Sequence, residues 1–173
     1  VSTYRTGIYF LFPNGKVERQ ELFDSTKGIQ AFDMYQENDQ TLWVASGKGL
    51  VRIRGNKKQS IGAEAGLAEL SLFKILPDRE GNWWLPTNIG IIRVKKAELD
   101  AYLDNPSTGK INWRVFDEGD GMYNRQCVGA RHSIVASDGR IMVLSIGGIV
   151  EIDPKKITRN NITPQLSMRQ LLV

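Results

Sequence analysis

The chain has 173 residues, 41% of them apolar and 24% charged, which is the composition of a globular protein that buries a core. The formal net charge is +4, and the 23 basic residues form no long run, so we expect a solvated surface and no nucleic-acid interface. One cysteine and one histidine exclude an internal disulfide and a metal site made of several such ligands, and we expect no cofactor.

The predicted elements repeat along the chain. Gly7 followed by IYFLF is a partial first copy, and three later segments align without gaps. These segments are 40–53 (QTLWVASGKGLVRI), 81–94 (GNWWLPTNIGIIRV) and 139–152 (GRIMVLSIGGIVEI). Their shared positions are Trp43, Trp84 and Met142; Ser46, Thr87 and Ser145; and Gly49, Gly90 and Gly148. A glycine in this place suits a turn with positive φ or a close approach of strands.

A second pattern, an apolar residue five positions before a glycine, repeats out of phase with the first. It occurs as FDSTKGI (23–29), IGAEAGL (61–67) and FDEGDGM (116–122). A period near 40 residues with short β-branched runs predicts an all-β chain of β-propeller blades, each a four-stranded antiparallel sheet. We predict a partial ring, residues 1–157, with blades at about 1–22 (partial), 23–60, 61–115 and 116–157.

Three further segments refine this prediction. Glu80-Gly81-Asn82 and Asp138-Gly139 predict turns between the second and third strands of a blade. Residues 95–104 carry apolar side chains at helical spacing before Asn105-Pro106, which predicts one short helix inserted between blades. Residues 158–173 are predicted to be a link and the first strand of a following β-sandwich, or a strand that closes the ring.

These repeats resemble a known family. LWVASGKGLVRI resembles the signature of the two-component regulator propeller repeat, and FDEGDGMYNRQ resembles a loop of that family. The ending at Asp153-Pro154 resembles the usual end of such a propeller. Met142 stands where the family has Trp or Phe, and Ser46 and Ser145 replace Thr, swaps that keep a packing role.

The resemblance implies a periplasmic sensor module of Gram-negative bacteria. Such a module is not an enzyme; a membrane helix relays its signal to a histidine kinase or a diguanylate cyclase. The membrane helix and the output domain are expected in other segments of the receptor. Contact with the membrane is therefore expected only through downstream segments.

Two sets of residues are candidates for binding a small molecule or glycan. The loop after Met122 carries Tyr123, Asn124, Arg125 and Arg131, an aromatic, amide and guanidinium set that suits a sugar or a carboxylate. These residues also fit an ordinary polar loop. Trp83 is the other candidate, because it points to the opposite face of its strand from Trp84, although packing against a neighbouring blade also explains it.

The sequence offers little for catalysis. The single histidine, His132, argues against a propeller enzyme such as a polysaccharide lyase or lactonase, which remains one alternative; a protein-interaction scaffold is another. Asp117, Glu118 and Asp120 lack the spacing of a calcium loop and predict a solvated turn. Cys127 has no neighbours in sequence beyond two arginines that would lower its pKa.

A partial ring leaves two blade faces bare. If each face exposes about 400 Å² of apolar surface, about 10 kcal/mol of burial per face is forgone at roughly 25 cal/mol per Å². We therefore predict that the chain associates with a copy of itself or with further blades.

Overall fold

A computed structural model describes residues 2–3, 7–20, 30–67, 69–129 and 133–157. Within these ranges the backbone forms four antiparallel sheets and one α helix. No helix in the described ranges is long and apolar enough to cross a membrane. The predicted fold class, an all-β chain of propeller blades with one short helix near 95–104, is confirmed.

Each sheet corresponds to one blade, and its strands follow one another in chain order. Blade 1 contains β1 (Ser2–Thr3), β2 (Gly7–Leu11) and β3 (Val17–Gln20); blade 2 contains β4 (Ala31–Asn38), β5 (Thr41–Ser46), β6 (Gly49–Arg54) and β7 (Lys57–Ile61). Blade 3 contains β8 (Leu76–Pro77), β9 (Asn82–Thr87), β10 (Gly90–Lys95) and β11 (Arg114–Phe116); blade 4 contains β12 (Ile134–Val135), β13 (Ile141–Ser145) and β14 (Gly148–Ile152).

The three aligned segments form the second and third strands of blades 2, 3 and 4. Cross-strand pairing keeps the sequence alignment intact, because the three aligned pairs are Trp43 with Arg52, Trp84 with Arg93, and Met142 with Glu151. The chain reverses between these strands through two-residue turns at 47–48, 88–89 and 146–147.

Two details of the sequence prediction were wrong. The turns at Gly81 and Gly139 join the first and second strands of their blades, not the second and third. Asp-Gly and Gly-Asn pairs mark a reversal but not its place in the sheet, and the actual second turns carry weaker turn residues such as Asn88-Ile89.

The helix α1 (Lys96–Asp104) also lies elsewhere than predicted. It falls inside blade 3, between β10 and β11, rather than between two blades. The helix is capped by Asn105, whose backbone N–H donates to the carbonyl of Ala101 at 2.9 Å. The side-chain oxygen of Asn105 accepts from the backbone N–H of Ser107 at 3.2 Å, which starts the next turn of the chain. The fourth strand of blade 3 therefore starts only after an excursion of 18 residues, 96–113.

The blades stack face to face, with one apolar core between each neighbouring pair. Successive side chains on a strand point to opposite faces, so the middle strands of blades 2 and 3 each contribute to two cores. Ile8, Val44, Val51 and Ile53 lie between blades 1 and 2; Trp43, Leu50, Ile61, Trp83 and Leu85 between blades 2 and 3; and Trp84, Ile91, Phe116, Ile141 and Val143 between blades 3 and 4.

A polar cluster closes the outer part of the interface between blades 2 and 3. The guanidinium of Arg52, 1% exposed, bonds Asp100 at 2.8 Å and Asp104 at 2.6 Å, both on α1. Lys96 of α1 pairs with Asp100 and Glu37. Burial by itself raises the pKa of Glu37, but hydrogen bonds from Lys96 and Trp43 outweigh it and hold that pKa below its ordinary 4.5. The inserted helix thus fastens blade 3 onto blade 2.

The second sequence pattern corresponds to a short 3₁₀ turn at the end of a blade. Such turns span Ala63–Ala65 and Glu118–Asp120, and each ends at a glycine in the left-handed region, Gly66 at φ +82° and Gly121 at φ +103°. The copy at 23–29 and the predicted strand within 158–173 lie outside the described residues.

Candidate functional site

The turns between second and third strands are built the same way in three blades. A hydroxyl at the end of the second strand donates to the carbonyl of the glycine three residues later. The pairs are Ser46 with Gly49 at 2.8 Å, Thr87 with Gly90 at 2.8 Å and Ser145 with Gly148 at 3.2 Å. In blades 2 and 3 the same hydroxyl also accepts from the backbone N–H of Lys48 and Ile89, both at 3.1 Å. This explains the hydroxyl residue that the repeats share.

The linkers between blades run along these turns. After blade 2, Leu72 N–H donates to the carbonyl of Ser46 at 3.0 Å. After blade 3, Cys127 N–H donates to Thr87 at 3.0 Å, while Ile146 N–H donates to the carbonyl of Gln126 at 2.9 Å. The turns and the linkers therefore share one end of the blades, and loops gathered on a rigid scaffold commonly carry binding residues.

The linker after blade 3 begins with a self-contained turn. Asp117 accepts from Gly119 N–H at 2.8 Å, and the carboxylate of Asp120 accepts from Asp117 N–H at 3.3 Å, which forms a capping box. Asp120 also pairs with Arg114 at 3.0 Å. Two of the three clustered carboxylates thus hold the backbone of their own turn.

The third carboxylate holds the next stretch of the linker in place. Glu118 accepts the backbone N–H of Arg125 at 2.9 Å, and the Arg125 guanidinium lies 4.0 Å from the same carboxylate. The N–H of Arg125 is the main reason that the pKa of Glu118 lies below its usual value. Asn124 in turn accepts from Gln126 N–H at 2.9 Å. The backbone at 124–126 is fixed by these bonds, and the Arg125 side chain stays 57% exposed.

Tyr123 projects from this linker next to the turn of blade 4. Its side chain is 90% exposed, and its ring lies so near Gly147 that a Cβ there would come within 2.6 Å of Tyr Cδ1. The same Cβ would come within 3.0 Å of the Asn124 Cβ. Ile146, 62% exposed, is in the same turn. An exposed tyrosine and an exposed arginine thus lie two residues apart on a hydrogen-bonded loop.

Sequence reasoning missed Gly147. The signal was present in the aligned repeats, since only the third copy has Gly-Gly where the others have Lys48-Gly49 and Ile89-Gly90. Any side chain at 147 would displace Tyr123, because its Cβ would clash with the near part of the tyrosine ring and crowd the Asn124 Cβ.

The structure brings together three of the five predicted site residues. Tyr123, Asn124 and Arg125 share the linker, whereas Arg131 lies outside the described residues. Trp83 is 3% exposed and packs edge-on against Trp43, at 4.8 Å between ring centroids. Of the two explanations open for Trp83, the structure shows packing.

Cys127 is buried at the root of the same linker. Its side chain is 3% exposed, with Sγ 3.7 Å from the carbonyl oxygen of Gly90. Burial raises the pKa of the thiol to about 11, so it stays protonated near neutral pH and packs as a small apolar group. His132 falls outside the described residues.

Comparison with solved structures finds similarity to extracellular domains of bacterial two-component and one-component systems. The extracellular domain of the hybrid two-component system BT3049 from B. thetaiotaomicron matches 88% of the chain with a TM-score of 0.70 and 20% identity. The extracellular domain of the one-component system BT4673 from the same organism matches 78% with a TM-score of 0.53 and 20% identity. This chain covers 20% and 18% of those two chains, about one fifth of their length.

These matches establish the fold and agree with the resemblance seen in the repeats. No protein-family model matches the chain. A comparison with curated protein sequences finds no match either.

Proposed function

We propose that this chain is part of the ligand-sensing propeller of a bacterial signal-transduction receptor. The observation that carries the proposal is that Tyr123, 90% exposed, and Arg125, with a side chain 57% exposed, lie two residues apart on a loop fixed by backbone hydrogen bonds. A fixed loop loses little conformational entropy when a ligand binds, and an exposed aromatic ring offers a flat apolar surface. The ligand class that fits is a sugar or a small carboxylate.

The structural relatives support the setting of the proposal. Both are named as extracellular domains of signalling systems, and the chain would occupy the equivalent periplasmic position in an inner-membrane receptor. In this proposal the module is non-catalytic and relays to a downstream kinase or cyclase. Turnover of a glycan by the purified chain would contradict it.

Isothermal titration with neutral sugars, uronic acids and small carboxylates tests the site. We expect one class to bind the 173-residue chain, and Tyr123→Ala to weaken it about tenfold through lost ring contact. Arg125→Ala should weaken an acidic ligand more than a neutral one, since a charge-assisted hydrogen bond is lost.

The matched control is Phe12→Ala, an aromatic that is also exposed (41%) but sits after β2 in blade 1. It should leave the affinity unchanged. Equal weakening by Phe12→Ala and Tyr123→Ala, or full affinity in both loop variants, would rule out this loop as the site.

A further inference from the structure

The third strands of blades 2 and 3 each carry an arginine opposite a buried tryptophan, but the two arginines have different partners. Arg52 in blade 2 is paired with Asp100 and Asp104 of α1. The aligned Arg93 in blade 3 lies over Trp84, with its Cζ 5.6 Å from the ring centroid. Among the described residues, its guanidinium contacts aromatic rings only and meets no carboxylate or other hydrogen-bond acceptor.

Arg93 also lies among other positive charges. Arg114 of β11 faces it directly, and Lys95 follows on the same face of β10. The Cζ atoms of Arg93 and Arg114 lie 5.6 Å and 4.3 Å from the centroid of the Phe116 ring. Like charges on directly facing residues destabilise a sheet. An anion that accepts hydrogen bonds from both guanidiniums would offset this repulsion.

The carboxylates of blade 3 closest in sequence to these arginines already have other partners. Asp120 pairs with Arg114 at 3.0 Å, and no pair joins it to Arg93. Glu98, in the first turn of α1, accepts the backbone N–H of Asn112 at 2.9 Å. Both carboxylates therefore leave the charge of Arg93 unmatched.

The carboxylates of blade 4 that follow its second strand are engaged as well. The pairs are Glu151 with Arg140 at 2.8 Å and Asp153 with Lys156 at 3.4 Å. Residues 158–173, which follow blade 4, contain no aspartate or glutamate. The two carboxylates outside the described ranges, Glu21 and Asp24, come before blade 2 in the chain. The sequence around blades 3 and 4 thus supplies no spare carboxylate side chain for Arg93.

The face of blade 3 that carries Arg93 forms a pocket of about 450 Å³, which we call the basic pocket. It lies toward the end of β10 where α1 begins, away from the 88–89 turn. All its lining residues belong to blade 3 and its inserted helix, so no part of blade 4 is needed to form it. The polar ones are Asn82, Arg93, Lys95, Glu98, Asn112 and Arg114.

We propose that the basic pocket binds a tetrahedral oxyanion, a phosphate or sulfate group. The ring contacts of Arg93 supply no acceptor oxygen to its five N–H donors. A tetrahedral oxyanion has enough oxygens to accept from guanidiniums on two strands at once, whereas the two oxygens of a carboxylate are filled by one arginine fork. Lys95 adds a third positive charge beside the anion.

Isothermal titration of the 173-residue chain with inorganic phosphate and with inorganic sulfate, at low ionic strength, tests the site. We expect saturable binding of one ion per chain. Arg93→Met should weaken it about tenfold, because charge-assisted hydrogen bonds are lost while the apolar part of the side chain remains. Arg93→Lys should weaken it about threefold, since the charge is kept and the planar fork is lost.

Lys95 and Arg54 provide a matched pair of exposed charges. Lys95→Met should weaken the binding of either ion about threefold, because one charge beside the anion is removed. Arg54 occupies the aligned position in blade 2, so Arg54→Met removes the same charge away from the pocket and should leave the affinity unchanged. Circular dichroism checks that each variant keeps its fold.

The basic pocket and the loop of the proposed function are tested separately. Tyr123→Ala should leave the affinity for phosphate and sulfate unchanged, and Arg93→Met should leave unchanged any sugar or carboxylate binding by that loop. Glucose 6-phosphate and glucose 6-sulfate, titrated in the same way, distinguish a free ion from an ester. Tighter binding of an ester than of its free ion would identify the group as part of a larger ligand.

The proposal fails if neither ion binds in a saturable way. It also fails if Arg54→Met weakens binding as much as Arg93→Met, which would indicate general attraction to a basic chain. Full affinity in Arg93→Lys and Lys95→Met together would likewise exclude the pocket, and both variants keep the charge or the exposed position that the fold needs.

Discussion

Blades 3 and 4 contain the same pair of strands, but the aligned side chains are buried to different extents. In blade 3, Trp84 is fully buried under Arg93 and beside Phe116, with the strands of blade 4 packed against it. In blade 4, the aligned Met142 is half-buried and Ile149 is 70% exposed. The repeat sequence thus specifies the hairpin, while burial of its outward face depends on the neighbouring blade.

The largest expected effect comes from truncating the aligned apolar residues. Trp84→Ala leaves a cavity in the core between blades 3 and 4 and should reduce the free energy of unfolding by about 3–5 kcal/mol. Met142→Ala removes a side chain that is already partly in water and should reduce it by less than about 1 kcal/mol. Urea unfolding followed by circular dichroism gives both values, and losses of similar size would show that the two faces are equally packed.

The aligned glycines should differ by a smaller amount. Alanine at Gly90 or Gly148 must adopt a positive φ, which costs about 1–2 kcal/mol at either site. At Gly90 the added methyl group also meets the carbonyl of Phe116, so we expect a further loss of about 1–3 kcal/mol. The same unfolding experiment measures the difference, and a Gly148→Ala variant as unstable as Gly90→Ala would contradict it.

The smallest expected loss of stability comes from removing charged side chains. Here the ion pairs between blades 2 and 3 are compared with the exposed ion pairs of blade 4. The Glu37 pKa is lowered, so its stabilisation is present at neutral pH and lost as the pH falls below 4.5. Burial alone lowers the Lys96 pKa, but hydrogen bonds to Asp100 and Glu37 raise it overall. Its stabilisation is therefore present below pH 10.5 and lost as the pH rises above that value.

Melting temperatures of the wild type and of Lys96→Met, measured from below pH 4.5 to above pH 10.5, test the charge prediction. At neutral pH the free energy of unfolding of the variant should be lower by less than about 1 kcal/mol. Its melting temperature should fall less steeply than that of the wild type at acidic and at alkaline pH. Arg140→Met is the control, since Arg140 pairs with Asp138 and Glu151 at side chains that are 44–50% exposed, where solvent screens the charges. A larger drop in melting temperature for Arg140→Met than for Lys96→Met would contradict the prediction.

Much of the fold could be predicted because its signals are local. The shared glycine predicted positive φ or close approach of strands, and Gly49 and Gly90 show both. The helix followed from apolar spacing and the Asn105-Pro106 stop. The position of that helix within blade 3 was not predictable, because Arg52 and Asp100, which hold it against blade 2, are 48 residues apart in sequence.

The candidate site was predictable only as a loop. Its residue types suggested binding, but the close approach of Tyr123 to Gly147 arises from the meeting of a linker with a turn of the next blade. Trp83 shows the converse: its aligned residues, Leu42 and Ile141, are not aromatic. The indole nevertheless packs against Trp43 across an interface between blades.

The adjacent tryptophans give the chain built-in optical reporters. Trp83 and Trp43 lie together between blades 2 and 3, while Trp84 lies between blades 3 and 4, so neighbouring indoles report on separate interfaces. Indole emission shifts to longer wavelength when water reaches the ring. Replacing Trp84 by Phe would remove the reporter between blades 3 and 4 and leave Trp43, Trp83 and Trp113, which pack in or against the core between blades 2 and 3. Comparing the emission of this variant with that of the wild type would therefore show whether the two interfaces open one at a time or together.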